Sequence, residues 1–358
     1  MTATRAGTIT LVVAIALGWG SASAAGFQDP LALPAQASEL ARRSMLLAVT
    51  RAGARLVAVG QRGHVIVSDD AGASWKQASV PVSSDLTAVF FVTAQVGWAV
   101  GHDGVVLGSR DGGLSWVLQL DGQRANARLV EYLQGRAQAD PRSTELQGLL
   151  TEARRYQEQG PDKPFLDVWF ADENDGFVVG AYNLIFRTSD GGTSWEPWFD
   201  RTENPKLLNL YAIRPAGGDL FVVGEGGLVL KLDPQARRFR AQPTPYKGSF
   251  FGVIGGKDVV LAFGLRGSLY SSGDRGKTWN KEASGLPAAI VAATPLPGGR
   301  VLLADAGGRV AVSDEAGRGF KVLPLKQAMP LAGIADAGNG RLALVGPGGV
   351  AVTEPTTR

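Results

Sequence analysis

The stretch that decides the fold is LVAVGQRGHVIVSDDAGASW, from Leu56 to Trp75. It returns as GWAVGHDGVVLGSRDGGLSW (Gly97 to Trp116), as GFVVGAYNLIFRTSDGGTSW (Gly176 to Trp195), and again in a segment ending at Trp279. The residue closing its first apolar run marks each copy: Gly60, Gly101, Gly180, Gly224, Gly264, Asp305 and Gly346. The spacings are 41, 79, 44, 40, 41 and 41, so the one long gap is a unit carrying an insertion. Within a unit, short alternating apolar runs are separated by a G-x-x-G turn and by a glycine- and aspartate-rich hairpin, which are strand and turn signals. Four strands in about 40 residues is the repeat of a propeller blade. The expected fold is therefore all-β: a seven-bladed β-propeller of four-stranded blades over 26–358, with one helical-hairpin insertion at 122–161 between blades two and three.

The glycine of the turn (Gly63, Gly104, Gly227, Gly267, Gly308) is replaced by Asn183 in the third unit. Asparagine tolerates positive φ best among side-chain-bearing residues, which predicts a left-handed turn there. The seventh unit has no readable fourth strand, and an unpaired edge is a liability. The segment from Phe27 to Ser44 is expected to complete that blade. In the insertion, Leu129, Val130 and Leu133 begin one amphipathic series. Leu146, Leu149, Leu150 and Ala153 form an i, i+3, i+4, i+7 stripe. Asp140-Pro141 reads as the start of the second helix. Meander connectivity puts this insertion on the same face as the G-x-x-G turns.

Composition bounds the function. The chain has 358 residues, 45% of them hydrophobic and 19% charged, which excludes general disorder. Thirty-six basic residues against 33 acidic ones give a net charge of +3, with no basic stripe, so no nucleic-acid partner is expected. The absence of cysteine excludes disulfides, zinc–thiolate sites, a thiol nucleophile and a lipid-anchored N-terminal cysteine. Arg5, the apolar run Ile9 to Leu17 and the Ala22-x-Ala24 site make residues 1–25 an expected secretory signal peptide. The mature protein is then expected in the periplasm or an equivalent extracytoplasmic space, as a monomer that does not span the membrane.

Four units carry Ser/Thr-x-Asp-x-Gly-x-Ser/Thr-Trp, with Asp70 and Trp75, Asp111 and Trp116, Asp190 and Trp195, and Asp274 and Trp279. The spacing lets each aspartate accept bonds from backbone N–H groups of its own turn, so these are structural residues. The pattern resembles the Asp-box (BNR) repeat of sialidases and related propellers. Units four and six carry degraded boxes, and Arg237, Arg238 and Arg240 form a basic cluster in the fourth. A sialidase-like hydrolase would need an arginine cluster, a tyrosine nucleophile and acids at the ring mouth. None is legible; the sialidase-like glycan-binding or glycan-hydrolysing reading is the alternative. His64 and His102 flank the turns without carboxylate partners, and no metal or cofactor motif is present.

With the Gly-Trp/Phe-x-Val-Gly strands (Gly97 to Gly101, Gly176 to Gly180), the turns and the boxes together, the chain resembles the photosystem II stability/assembly factor family of seven-bladed propellers. That resemblance covers about residues 44–354. It implies an exported, non-enzymatic protein that binds newly made membrane-protein subunits, without cofactor or metal. The residues expected to meet such a partner project from the turns: Arg62, His64, His102, Asp103, Tyr182, Glu225, Arg266 and Asp305.

Overall fold

The computed structural model describes residues 28–314, 318–326 and 329–355. The expected signal segment lies outside them. Among the described residues, no helix is long and apolar enough to cross a membrane.

Blade two shows the unit. Strands Leu86–Phe91, Gly97–Gly101, Val106–Ser109 and Val117–Leu120 form an antiparallel meander in sequence order. Among the described residues, six blades have four strands in this order, and the seventh has three: Gly333–Gly338, Arg341–Gly346 and Gly349–Thr353. The expectation of a fourth strand from Phe27–Ser44 is therefore corrected. In that segment Pro30 and Pro34 lack the N–H a ladder needs. Two short 3-10 turns, Pro30–Ala32 and Ala41–Arg43, break it further. It lies along blade one instead, with Ala35 N donating to Val80 O at 3.0 Å and Ser83 N to Pro30 O at 3.0 Å. Its end reaches blade seven, where the backbone of Arg42 and Arg43 abuts Gly349. The ring closes by side-chain packing of blade seven on blade one: Leu46, Val49, Leu56 and Ile66 meet Ala335, Ala343 and Val345.

The recurring marker glycine has a steric cause. A Cβ at Gly60, Gly101 or Gly180 would stand 2.3, 2.1 or 2.3 Å from the carbonyl oxygen of Met45, Asp85 or Pro164. That carbonyl accepts the N–H of the residue after the marker, as in His102 N to Asp85 O at 2.8 Å. The close approach coincides with a slip in strand register, between Leu86 and Ala88 in blade two. Asp305 keeps the same bond (Ala306 N to Ala289 O, 2.8 Å) and uses its carboxylate to accept from Arg309 N and Ala288 N.

The core is divided among the seams between blades. Each seam holds its own cluster, and the box tryptophans Trp75, Trp116, Trp195 and Trp279 each fill the seam with the preceding blade. The boxes are built as the spacing requires. Asp70 Oδ1 accepts from Ser74 N at 2.8 Å and from the Ser68 hydroxyl at 2.8 Å, and Oδ2 from the Ser74 hydroxyl at 2.6 Å. Gly72, Gly113, Gly192 and Gly276 sit at φ of 87, 87, 88 and 85°.

The insertion is two helices, α1 (Gly122–Ala139) and α2 (Thr144–Gln159). Asp121 caps α1 by accepting from Arg124 N at 2.9 Å. The expected start of α2 at Asp140-Pro141 is corrected: Asp140 ends α1, Pro141 occupies the turn, and Ser143 is the cap, accepting from Leu146 N at 3.2 Å. Leu129, Leu133, Leu150, Ala153 and Tyr156 are buried in one cluster with Trp98, Phe165, Phe170, Trp195 and Phe199. The hairpin thus covers the outside of blade three, whose last strand is only Glu196–Pro197.

Candidate functional site

The G-x-x-G segment is a two-residue left-handed turn. Its second central residue is positive as predicted, including Asn183 at φ 67°. Its first central residue is positive too, and there the sequence places side chains: Arg62 at 57°, Asp103 at 56°, Tyr182 at 52° and Arg266 at 58°. Each such residue carries about 1–2 kcal/mol of local strain that glycine avoids. Neighbouring blades hold two of these turns in place. Arg62 N donates to Asp85 Oδ1 at 2.7 Å, and Tyr182 N to Asn209 Oδ1 at 2.8 Å, from just before the first strand of the next blade.

The eight expected contact residues divide. Arg62, His102, Tyr182 and Arg266 are exposed, and Asp103 and Glu225 are half-buried. Asp103 accepts from the Ser84 hydroxyl at 2.6 Å. Asp305 is corrected: it is fully buried, spent on its own backbone turn, and presents nothing to a partner. His64 is corrected likewise. It is buried against Ser44, whose hydroxyl lies 2.9 Å from Nδ1, and burial together with Arg62 pushes its pKa below the usual histidine value. Turns from successive blades spread the rest around the ring. Among the described residues no group of three or more histidines, aspartates or glutamates is gathered to hold a metal ion.

Of the eight, Tyr182 lines the groove between α2 and the segment that follows blade three. The groove encloses about 810 Å³ between α2 and the segment 199–207 that leads from blade three to blade four. Leu149 and Leu207 give it apolar walls, Tyr182 and Phe199 line it between them, and Glu152, Glu203 and Lys206 supply charge of both signs. The Tyr156 hydroxyl donates to Tyr182 O at 3.3 Å, and the buried Lys163 ammonium lies 4.5 Å from the Tyr156 ring centroid. Burial and the Glu152 carboxylate push the Tyr156 phenol up to about 12, so it stays a donor.

Asn183 does more than tolerate its backbone angle. Its Nδ2 donates to Phe199 O at 3.0 Å, and its Oδ1 accepts from Thr202 Oγ1 and Asn204 Nδ2, both at 3.0 Å. It therefore pins the segment that forms the far wall. Leu207 is held at φ 50°, a strained conformation for a leucine. Sequence reasoning missed Asn183 in this role, Leu149 and the whole 199–207 segment. The only available signal was Asn183 as the exception in a glycine column.

Comparison with known proteins bears on the chain as a whole. The family model described as photosynthesis system II assembly factor YCF48 matches residues 152–241, from the second half of α2 through blades three and four. Photosystem II assembly protein Ycf48 of Synechococcus sp. (strain JA-2-3B'a(2-13)) is 29% identical over 179 residues, which is 47% of this chain and 53% of that protein. Photosystem II assembly lipoprotein Ycf48 of Synechococcus sp. (strain CC9902) is 26% identical over 129 residues, 35% of this chain and 38% of that one. The chain thus spans about half, or less, of the length of these curated relatives. Two solved structures share the fold. One described as YCF48 bound to D1 peptide has a TM-score of 0.60 at 14% identity, covering 88% of this chain and 95% of its own. YCF48 from Cyanidioschyzon merolae has a TM-score of 0.62 at 16% identity, covering 90% and 98%.

Proposed function

We propose that this chain, a propeller similar in sequence and fold to the photosystem II assembly factor Ycf48 group, binds a segment of a protein partner in an extracytoplasmic space and helps a membrane protein complex assemble. The observation that carries the reading is the groove between α2 and residues 199–207. It is open, it has apolar walls with a rim of mixed charge, and the strained turn residue Tyr182 lines it. Apolar walls would take the side chains of a bound segment, and the charged rim would fix its direction. A solved propeller of this fold is described as bound to a D1 peptide, which makes a photosystem subunit the named candidate partner. Nothing in the site calls for bond-making chemistry, and the role proposed is non-catalytic.

Deleting the insertion would not test this cleanly, because Leu129, Leu133, Leu150 and Tyr156 belong to the core of blade three. Groove substitutions do. Tyr182→Ser and Leu149→Ser alter the groove, and Val117→Ser is the control: it is 68% exposed and follows the box of blade two, on the opposite face. Affinity capture with cross-linking from native cell envelopes should recover the same membrane-protein subunit with the wild type and the Val117 variant, and lose it with the groove variants. Retention by folded groove variants, or no partner for a folded wild type, sinks the reading.

A further inference from the structure

The basic cluster of the fourth box reads from sequence as a solvated rim, and the fold treats its members differently. Arg240 is held by Asp233 at 2.9 Å and Glu203 at 3.1 Å. Arg237 and Arg238 join Arg136 of α1 and Arg201 of the inter-blade segment around one pocket of about 300 Å³. Asp200 is the only acid in its lining. That carboxylate is already engaged: Oδ1 accepts from the Tyr132 hydroxyl at 2.9 Å, and Oδ2 pairs with Arg136 at 2.6 Å. Arg201 pairs with Glu196 at 2.8 Å. Arg237 and Arg238 have no ion pair among the described residues, and Arg238 Nε is buried with no hydrogen-bond partner. Arg237 is further held in the left-handed region at φ 49°.

Four guanidiniums from three separate segments therefore face one small space, two of them uncompensated. A buried N–H without an acceptor and several like charges together are both unfavourable unless something anionic fills the space. Guanidinium forks match oxyanions in geometry and bond them in pairs. The planar carboxylate of Asp200 is present and leaves Arg238 Nε without an acceptor and the exposed Arg237 without an ion pair. A tetrahedral dianion offers oxygens in enough directions to meet donors arriving from three sides. We propose that this pocket binds a phosphate group, as free phosphate or as the headgroup of an anionic lipid. Asp200 and Arg238 line the neighbouring groove as well, but the proposal needs only the guanidiniums of the small pocket and does not rest on a partner in the groove.

Titration calorimetry with inorganic phosphate, against chloride matched in ionic strength, reads the site directly. The wild type should bind one phosphate per chain, and Arg237→Gln/Arg238→Gln at least tenfold more weakly. Arg136→Gln, from a different element, should weaken binding as well, and covers the case in which the double variant fails to fold. Urea unfolding of each variant confirms that loss of binding is not loss of structure. Co-sedimentation with phosphatidylcholine vesicles, with and without phosphatidic acid, separates the sources. Phosphatidic-acid-dependent sedimentation that the double variant loses assigns a lipid headgroup, and calorimetric binding without sedimentation assigns free phosphate. If folded wild type and folded variants behave alike in both assays, or if only an acidic peptide distinguishes them, the proposal is wrong.

Discussion

Truncating Leu133 to alanine asks whether the insertion is an appendage or a structural part of blade three. Leu133 is fully buried and belongs to the cluster that also contains Trp98, Phe165, Phe170 and Trp195 of blades two and three. Removing a leucine from such a site loses its transfer free energy and leaves a cavity that relaxes only in part, about 3 kcal/mol together. With a urea slope of roughly 3 kcal/mol/M, the unfolding midpoint should fall by about 1 M with the slope unchanged. Tryptophan fluorescence is the right probe, because Trp98 and Trp195 report from the perturbed cluster. Leu149→Ala is the internal control: it removes the same atoms on the same hairpin from a half-buried position facing the groove, and should cost less than about 1 kcal/mol. A Leu133→Ala midpoint within roughly 0.3 M of wild type, with faster proteolysis confined to 122–160, would mean that the hairpin unfolds on its own and that blade three does not depend on it.

Further expectations follow from the turns, the boxes and the ring. Arg266→Gly should leave stability unchanged or raise it by up to about 1 kcal/mol in thermal or urea unfolding, because glycine relieves the left-handed strain, while Arg266→Val should lower it by more than about 1 kcal/mol. The box hydroxyls and backbone N–H groups hold Asp70 and Asp274 down to about 2, from an ordinary 3.8. Their contribution is therefore complete above about pH 4 and is lost as the pH falls towards 2, so urea midpoints should drop across that window and drop less in Asp70→Asn/Asp274→Asn. Asp167 is buried, and its carboxyl is pushed up by that burial while Arg214, at 2.6 Å, opposes the shift. Arg214→Met strands it and should cost about 3 kcal/mol in urea unfolding, with Asp167→Asn in the same chain restoring part of the loss. If Arg214→Met is neutral, the Asp167–Arg214 pair does not hold the first strand of blade three to the first strand of blade four.

The seven-fold repeat and the Asp boxes were determined by the sequence alone, because each is local. An eight-residue box contains every donor and acceptor of its own turn. A glycine whose Cβ would stand 2.1 Å from a carbonyl oxygen, as at Gly101, is visible as a glycine at a fixed interval. Meander order then dictates which connections share a face. The tertiary structure decided what depends on distant segments meeting. Leu149, Tyr182 and Leu207 form one groove only after α2 packs on blade three and Asn183 ties down residues 199–204. Asp305 reads as a charged turn residue in sequence, yet replaces a buried glycine and spends its carboxylate inward. Arg136 and Arg238 are a hundred residues apart and reach the same pocket only because α1 runs along the edge of blade three towards blade four. Turn chemistry is written within a few residues, whereas a binding surface depends on packing between segments that no local pattern specifies.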